Sequence, residues 1–279
     1  LSEEKMATHQ DEQIGRMKNL ADSMRGQTAA RARLAKVLDR KVEKLVDNRV
    51  EVTKKEKKVV FKLPAPPRSG DVPMAVEHVA VRYGTLDVLK DVNFITRRGD
   101  RILIVGKNGA GKSSLLRCLA GTQGAQTGTV KFGANVKVGY FAQEHEQLDF
   151  SRSVLDHLEN ATVQTEVQRR SLLGAFGLKG SAAHQMPGTL SGGERAKLAL
   201  AILAASDANL LLLDEPTNNL DPASVEALGV MMNQWKGTIV AVSHEREFVE
   251  ALHPTHAVML PEEYFDLWRD DYMDLIERR

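Results

Sequence analysis

The chain has 279 residues, 42% of them hydrophobic and 27% charged, with a formal net charge of +1. That length exceeds one typical domain and falls short of two, so one large α/β domain with an appendage and an ordinary buried core is expected. The longest apolar runs, Leu198 to Ala205 and Leu210 to Leu213, are far shorter than the ~18–20 residues of a membrane helix, and a single cysteine, Cys118, excludes an internal disulfide and a cysteine-based zinc cluster.

The chain opens without methionine, in a charged helical pattern with no signal-peptide features, so a piece of a longer cytoplasmic polypeptide is expected. Residues 1–68 hold 17 Lys+Arg against 10 Asp+Glu, a balance of +7, and the remainder carries −6, so the two parts face different partners. Ile14, Met17, Leu20 and Met24, then Leu34, Val37, Leu38, Val42, Leu45 and Val46, recur at three to four residues. Each set predicts a helix with one narrow apolar stripe, broken near Ser23 and Gly26, and a narrow stripe suits a hairpin or coiled coil. A Lys-rich run from Lys54 to Lys58 and then Pro64, Pro66, Pro67 and Gly70 mark an extended connector. The expected organisation is therefore a charged helical linker over 1–62, a connector over 63–72 and a globular domain over 73–279.

Ala75 to Tyr83 and Val88 to Ile95 predict early antiparallel strands. Ile102 to Val105, Leu210 to Leu213, Ile239 to Val242 and Val258 to Leu260 are short apolar runs of the kind that fill a parallel sheet. Their alternation with helical patterns predicts a mostly parallel sheet covered by helices on both faces.

The run Ile102 to Val105 leads into GKNGAGKSS, Gly106 to Ser114, followed by an apolar helix with Leu115, Leu116 and Leu119. This is the phosphate-loop pattern in its strand–loop–helix setting. Glycines let backbone N–H groups converge on phosphate oxygens, and the positive end of the helix points the same way. Gly106, Asn108, Gly109, Ala110, Gly111, Lys112, Ser113 and Ser114 are the expected binding set, with Lys112 on the β- and γ-phosphates and the Ser113 hydroxyl on Mg²⁺. Cys118 falls on the apolar face of the same helix, where a buried thiol is the ordinary outcome.

LLLLDEP, Leu210 to Pro216, puts two carboxylates at a strand end. Asp214 would hold Mg²⁺ and Glu215 would polarise water as general base, although Asp-Glu-Pro alone is equally an ordinary turn. Ser243 and His244 end the run Ile239 to Val242 on the same carboxyl edge, where open α/β sheets bind ligands. Ser191 and Glu194 in LSGGE form a capping box ahead of Leu198, Ala201, Ile202 and Ala205. That is either a well-capped helix or, because Gly192 and Gly193 bare its N–H groups, a second phosphate grip.

GKNGAGKSS, LSGGE and LLLLDEPTNNLD, in that order, resemble the Walker A, signature and Walker B motifs of the ATP-binding cassette (ABC) family over roughly Val72 to the C-terminus. The resemblance implies a P-loop NTPase of the ABC ATPase type, with an antiparallel β subdomain and a helical signature subdomain. It also implies that Tyr83 stacks on adenine, Gln143 is the Q-loop ligand of nucleotide and Mg²⁺, Asp221 lies on the D-loop and His244 is the switch histidine. ATP would sit between the Walker A of one cassette and Ser191, Gly192 and Gly193 of another. LSGGERAKLALA, DEPTNNLD and VSHER are similar to the ABC-F subfamily, with Asn219 where His and Glu245 where Asp is usual.

That likeness implies a linker plus second cassette, with the first cassette upstream or a second copy as partner. A tip near Ala21 to Gln27 would approach ribosome-bound tRNA, and no membrane segment would be intrinsic to the chain. A basic helical hairpin suits RNA phosphates, and its few aromatics favour backbone contact over sequence readout. A translation factor or ribosome-protection ATPase in antibiotic resistance is thus expected. The alternative is the ATP-binding subunit of a transporter of macrolide-export type, for which a charged N-terminal hairpin is not expected.

Overall fold

The computed structural model describes residues 16–17, 19–23, 34, 36–42, 63–142, 148–159 and 165–276. The chain divides into two compact units, Leu1–Lys57 and Lys58–Arg279. All the described residues of the first unit are helical, at 16–17, 19–23, 34 and 36–42. Here the expected apolar stripe needs correction in part: Leu20, Leu34 and Val37 are about half exposed, whereas Val42 of the same stripe and Ala21 outside it are buried. One residue turns a helix by about 100°, so the covered line at this point runs through the alanine beside Leu20. Ile14, Met24, Gly26, Leu45 and Val46 lie outside the described residues.

In the second unit, β1 (Met74–Tyr83) pairs antiparallel with β2 (Leu86–Thr96) and with β4 (Thr127–Phe132). The larger sheet contains β3 (Arg101–Gly106), β5 (Val138–Phe141), β6 (Leu210–Asp214), β7 (Thr238–Val242), β8 (His256–Leu260) and β9 (Tyr264–Leu267). Its order is β5-β6-β7-β3-β8-β9, parallel up to β8 and closed by antiparallel β9. Seven α-helices are described in this unit: α1 (Lys112–Leu119), α2 (Val154–His157), α3 (Glu166–Ala175), α4 (Gly192–Ala205), α5 (Pro222–Gln234), α6 (Arg246–Leu252) and α7 (Met273–Ile276).

The parallel strands read as continuous apolar runs because both of their faces are covered. Leu103, Val105, Leu211, Leu213, Ile239 and Ala241 join one core with α4, α5 and α6. The alternate residues Ile102, Ile104, Leu210, Leu212, Val240 and Val242 join the other, with α1 and the antiparallel sheet. The register pairs Ile102 with Val240 and Leu212 with Val240, so β3, β7 and β6 end side by side on one carboxyl edge.

Residues 63–67 are packed onto this unit at the opposite end of the sheet. Trp235 Nε1 donates to the Pro64 carbonyl (3.1 Å). Asn209, 2% exposed, donates through Nδ2 to the Pro67 (3.2 Å) and Asn135 (2.8 Å) carbonyls and accepts from the Lys137 N–H at 2.9 Å. Asn209→Leu keeps the volume and strands all three backbone groups, so it is expected to cost about 2–4 kcal/mol. Urea unfolding reads this as a lower midpoint, and an unchanged midpoint would contradict the role given to the carboxamide.

Candidate active site

β3 ends at Gly106, whose backbone passes so close to Leu260 that a Cβ there would collide with the Leu260 carbonyl. Gly109 (φ 82°) and Gly111 (φ 97°) take left-handed turns open to glycine, and the chain then enters α1 with Gly111 as N-cap. Ala110 N–H closes the loop onto the Lys107 carbonyl at 3.1 Å. Lys112 is buried, and its Nζ donates to the carbonyls of Gly106 (2.7 Å) and Lys107 (3.1 Å). Burial pushes its ammonium below the ordinary lysine value, opposed by the charges of Glu215 and Asp214. A buried cation therefore stands where a glycine loop enters the N-terminus of α1, which is the electrostatic requirement for a polyphosphate.

Asp214, the last residue of β6, is fully buried. Its Oδ1 accepts from Ser113 Oγ at 3.1 Å, and Oδ2 has no hydrogen-bond partner among the described residues. Burial raises its carboxyl above the ordinary range, against the Ser113 hydrogen bond and the charges of Arg117 and Lys112. A buried carboxylate with one free oxygen beside a serine hydroxyl fits a divalent cation. No group of three His, Cys, Asp or Glu suited to a metal occurs among the described residues, so such an ion would draw its remaining ligands from phosphate and water.

Glu215 adopts φ 50°, which turns the chain sharply out of β6 and costs a non-glycine residue about 1–2 kcal/mol. Its N–H bonds the Val242 carbonyl (3.0 Å), Oε2 accepts the His244 N–H (3.2 Å), and Oε1 lies 3.3 Å from His244 Nε2. Burial raises the Glu215 carboxyl, with His244 pulling it back. His244 is oriented on its other side by Nδ1, 3.3 Å from the Ile276 carbonyl.

Lys112, Ser113, Glu215 and His244 line a cavity of about 470 Å³ together with Asn108, Gly109, Gly111 and Ser114, while Gly106, Ala110 and Asp214 are not among its lining residues. Val88, Asn218 and Glu245 also line it; sequence reasoning gave them no binding role, since nothing local distinguishes them. Tyr83, at the end of β1, approaches the loop through its hydroxyl, 3.3 Å from Ser114 Oγ. Gln143 lies outside the described residues.

Ser191, Gly192 and Gly193 are not among the residues lining that cavity. The capping box is present: the Glu194 N–H reaches Ser191 Oγ (3.2 Å), and the Ser191 N–H reaches Glu194 Oε2 (2.9 Å). A Cβ on Gly193 would stand 2.7 Å from the Asn219 carbonyl, so the motif is pressed against the loop that follows Glu215. Asp221 likewise stays out of the cavity. It caps α5, accepting from Ser224 N–H (2.9 Å), Ser224 Oγ (2.8 Å) and Lys197 Nζ (3.0 Å).

Burial works against the Asp221 carboxylate, yet the Ser224 and Lys197 contacts prevail and hold its pKa at about 2. A depressed folded value stabilises the fold above the unfolded value, near 3.8, and the contribution disappears as pH falls towards 2. The stability difference between the wild type and Asp221→Ala should therefore be constant from pH 7 to about 5 and shrink below about 4. A difference that grows on acidification would contradict this sign.

The ABC transporter family profile matches residues 89–218. The ATP-binding protein YdiF of Bacillus subtilis is 34% identical over 281 residues, covering 99% of this chain and 43% of that protein. The chain belongs to the ATP-binding cassette family. Within the ABC family it is closely related to the ABC-F subfamily. The ATP-binding cassette sub-family F member 3 homolog of Encephalitozoon cuniculi is 36% identical over 222 residues, 79% of this chain and 39% of that protein. The energy-dependent translational throttle protein EttA of Escherichia coli is 33% identical over 231 residues, 81% of this chain and 40% of that protein. The chain thus spans about two fifths of the length of these curated relatives. The fold matches a solved dimeric ATP-binding cassette, bound to ADP and Pi in a post-hydrolysis state, with TM-score 0.61 and 20% identity over 70% of this chain and 99% of that one. The ABC ATPase fold expected from the motifs is therefore the one found, antiparallel subdomain included. Among the described residues no helix is long and apolar enough to cross a membrane.

Proposed function

We propose that this cassette binds Mg-ATP at the phosphate loop and hydrolyses it to ADP and phosphate. The observation that carries the reading is the buried Asp214 Oδ2, without a hydrogen-bond partner among the described residues, next to Ser113 and one residue from Glu215, with the buried Lys112 preceding Ser113 in the loop. Lys112 and the amides of Gly109 to Ser114 would hold the β- and γ-phosphates. Ser113 and Asp214 would hold Mg²⁺, which supplies charge neutralisation as the terminal phosphoryl group leaves, with Gln143 as a further ligand. Glu215 accepts a proton from the attacking water while His244 orients its carboxylate. Tyr83 would carry adenine.

Ser191, Gly192 and Gly193 do not line their own chain's cavity, and their capped, glycine-bared helix end would serve a nucleotide held by another cassette. That partner is the upstream half of a longer polypeptide or a second copy, and Asp221 lies on the loop that meets it. In the cytoplasm, the +7 segment over 1–68 directs the assembly to ribosomal RNA and tRNA, in line with the translational name of the EttA relative. Two measurements test the two levels of this reading. ATP turnover should appear when the cassette is supplied with its second cassette and vanish without Mg²⁺; turnover in excess EDTA would refute the metal role. Ribosome co-sedimentation of the complete polypeptide with ATP should weaken by roughly 10³-fold or more between 50 and 200 mM salt, and salt-insensitive binding would refute phosphate recognition by the basic segment.

A further inference from the structure

Tyr83 is 48% exposed, so packing alone does not fix its ring. Its hydroxyl is nevertheless held at two points. It donates to Gln123 Oε1 at 2.6 Å and stands 3.3 Å from Ser114 Oγ. A phenol has one proton, and the shorter contact takes it, so Ser114 is the donor in the longer one. Gln123 is itself anchored: its N–H and that of Thr122 both bond the Arg117 carbonyl (3.2 and 3.1 Å), wrapping the end of α1. The end of β1 is therefore braced against both ends of the phosphate-loop helix, Ser114 in its first turn and Gln123 just past its last.

We propose that Gln123 is a positioning residue for the nucleotide base: by accepting the Tyr83 hydroxyl proton it presets the exposed ring beside the phosphate loop. The inference rests on the reading of Tyr83 as the base-stacking residue. An unbraced exposed tyrosine rotates about two side-chain bonds, and ATP would then have to order it on binding; presetting the ring removes that cost from the nucleotide's affinity. The requirement is for an acceptor at position 123, so Glu serves where Leu does not.

The test measures equilibrium binding of Mg-ATP and of magnesium tripolyphosphate, which has the phosphates and no base, to the 279-residue chain by calorimetry. Gln123→Leu should weaken Mg-ATP roughly three- to ten-fold, the worth of one hydrogen bond, and leave tripolyphosphate unchanged. Gln123→Glu should stay within about two-fold of the wild type for both ligands. Equal losses for ATP and tripolyphosphate would make Gln123 merely structural, and wild-type ATP affinity in Gln123→Leu would overturn the proposal. Tyr83→Ala separates the two levels. Loss of ATP affinity there, with none in Gln123→Leu, would sink the brace and keep the stacking reading, whereas unchanged ATP affinity in Tyr83→Ala would sink both.

Discussion

Replacing Glu215 by Gln should abolish turnover and spare binding. The substitution preserves shape and the acceptor for the His244 N–H, and it removes only the capacity to take a proton from water. Loss of a general base lowers the rate by roughly 10²–10⁴-fold, while Lys112, Ser113 and Asp214, which would contact phosphate and metal, are untouched. The bound state should persist, and with it the association of two cassettes around ATP. The pH profile of the wild type carries the same signature. Burial raises the Glu215 carboxyl above its ordinary 4.5, and only the ionised form is a base. Turnover should therefore fall on acidification at a pH higher than an exposed glutamate would give, and the Gln variant should lack this limb. Hydrolysis near the wild-type rate in Glu215→Gln would remove Glu215 from the reaction.

Lys112→Met should do the reverse. Lys112 is 8% exposed, and among the described residues its ammonium donates only to loop carbonyls, a setting in which burial disfavours its charge. Contact with phosphate would offset that desolvation, and losing a charge-assisted pair should weaken Mg-ATP by roughly 10–100-fold. Methionine is apolar and similar in length; it relieves the buried charge but leaves the Gly106 and Lys107 carbonyls without their Nζ donor, so the fold should lose no more than about 1–3 kcal/mol. Binding loss with at most a modest drop in the unfolding midpoint is the expected pair of results. Unchanged affinity would place the phosphates away from the loop, and a collapsed midpoint would give the lysine a structural role instead.

How much of this was legible in the sequence follows from how each element is buried. The runs at β3, β6, β7 and β8 were readable because both faces of each strand are covered, which leaves uninterrupted aliphatic residues. β4, β5 and β9 were missed because five of the six residues of TGTVKF are exposed and the four-residue VGYF and YFDL lie at the two edges of the larger sheet, so none carries a long apolar run or a clear alternation. The carboxyl-edge convergence of Lys112, Asp214, Glu215 and His244 was legible because parallel strands ending in polar residues must deliver them to one side. Tyr83, Gln143 and Asp221 entered only through family resemblance. In the structure the Asp221 carboxylate is engaged by Ser224 and Lys197, and no local pattern announces the Lys197 contact. Gln123 was invisible for a similar reason: its partner is 40 residues away and joins it only when β1 folds beside α1. In the first unit the heptad-like spacing gave the helices but not their covered side, because spacing alone does not decide whether Leu20 or Ala21 faces inward.

A crystal structure of the Glu215→Gln chain with Mg-ATP would examine the heart of this account most directly. The expected result is a nucleotide whose β- and γ-phosphates lie within hydrogen-bond reach of the Gly109 to Ser114 amides and Lys112. The metal should be bound by Ser113 Oγ, with Asp214 beside it directly or through one water. Triphosphate seated elsewhere, or a metal away from the free oxygen of Asp214, would contradict it.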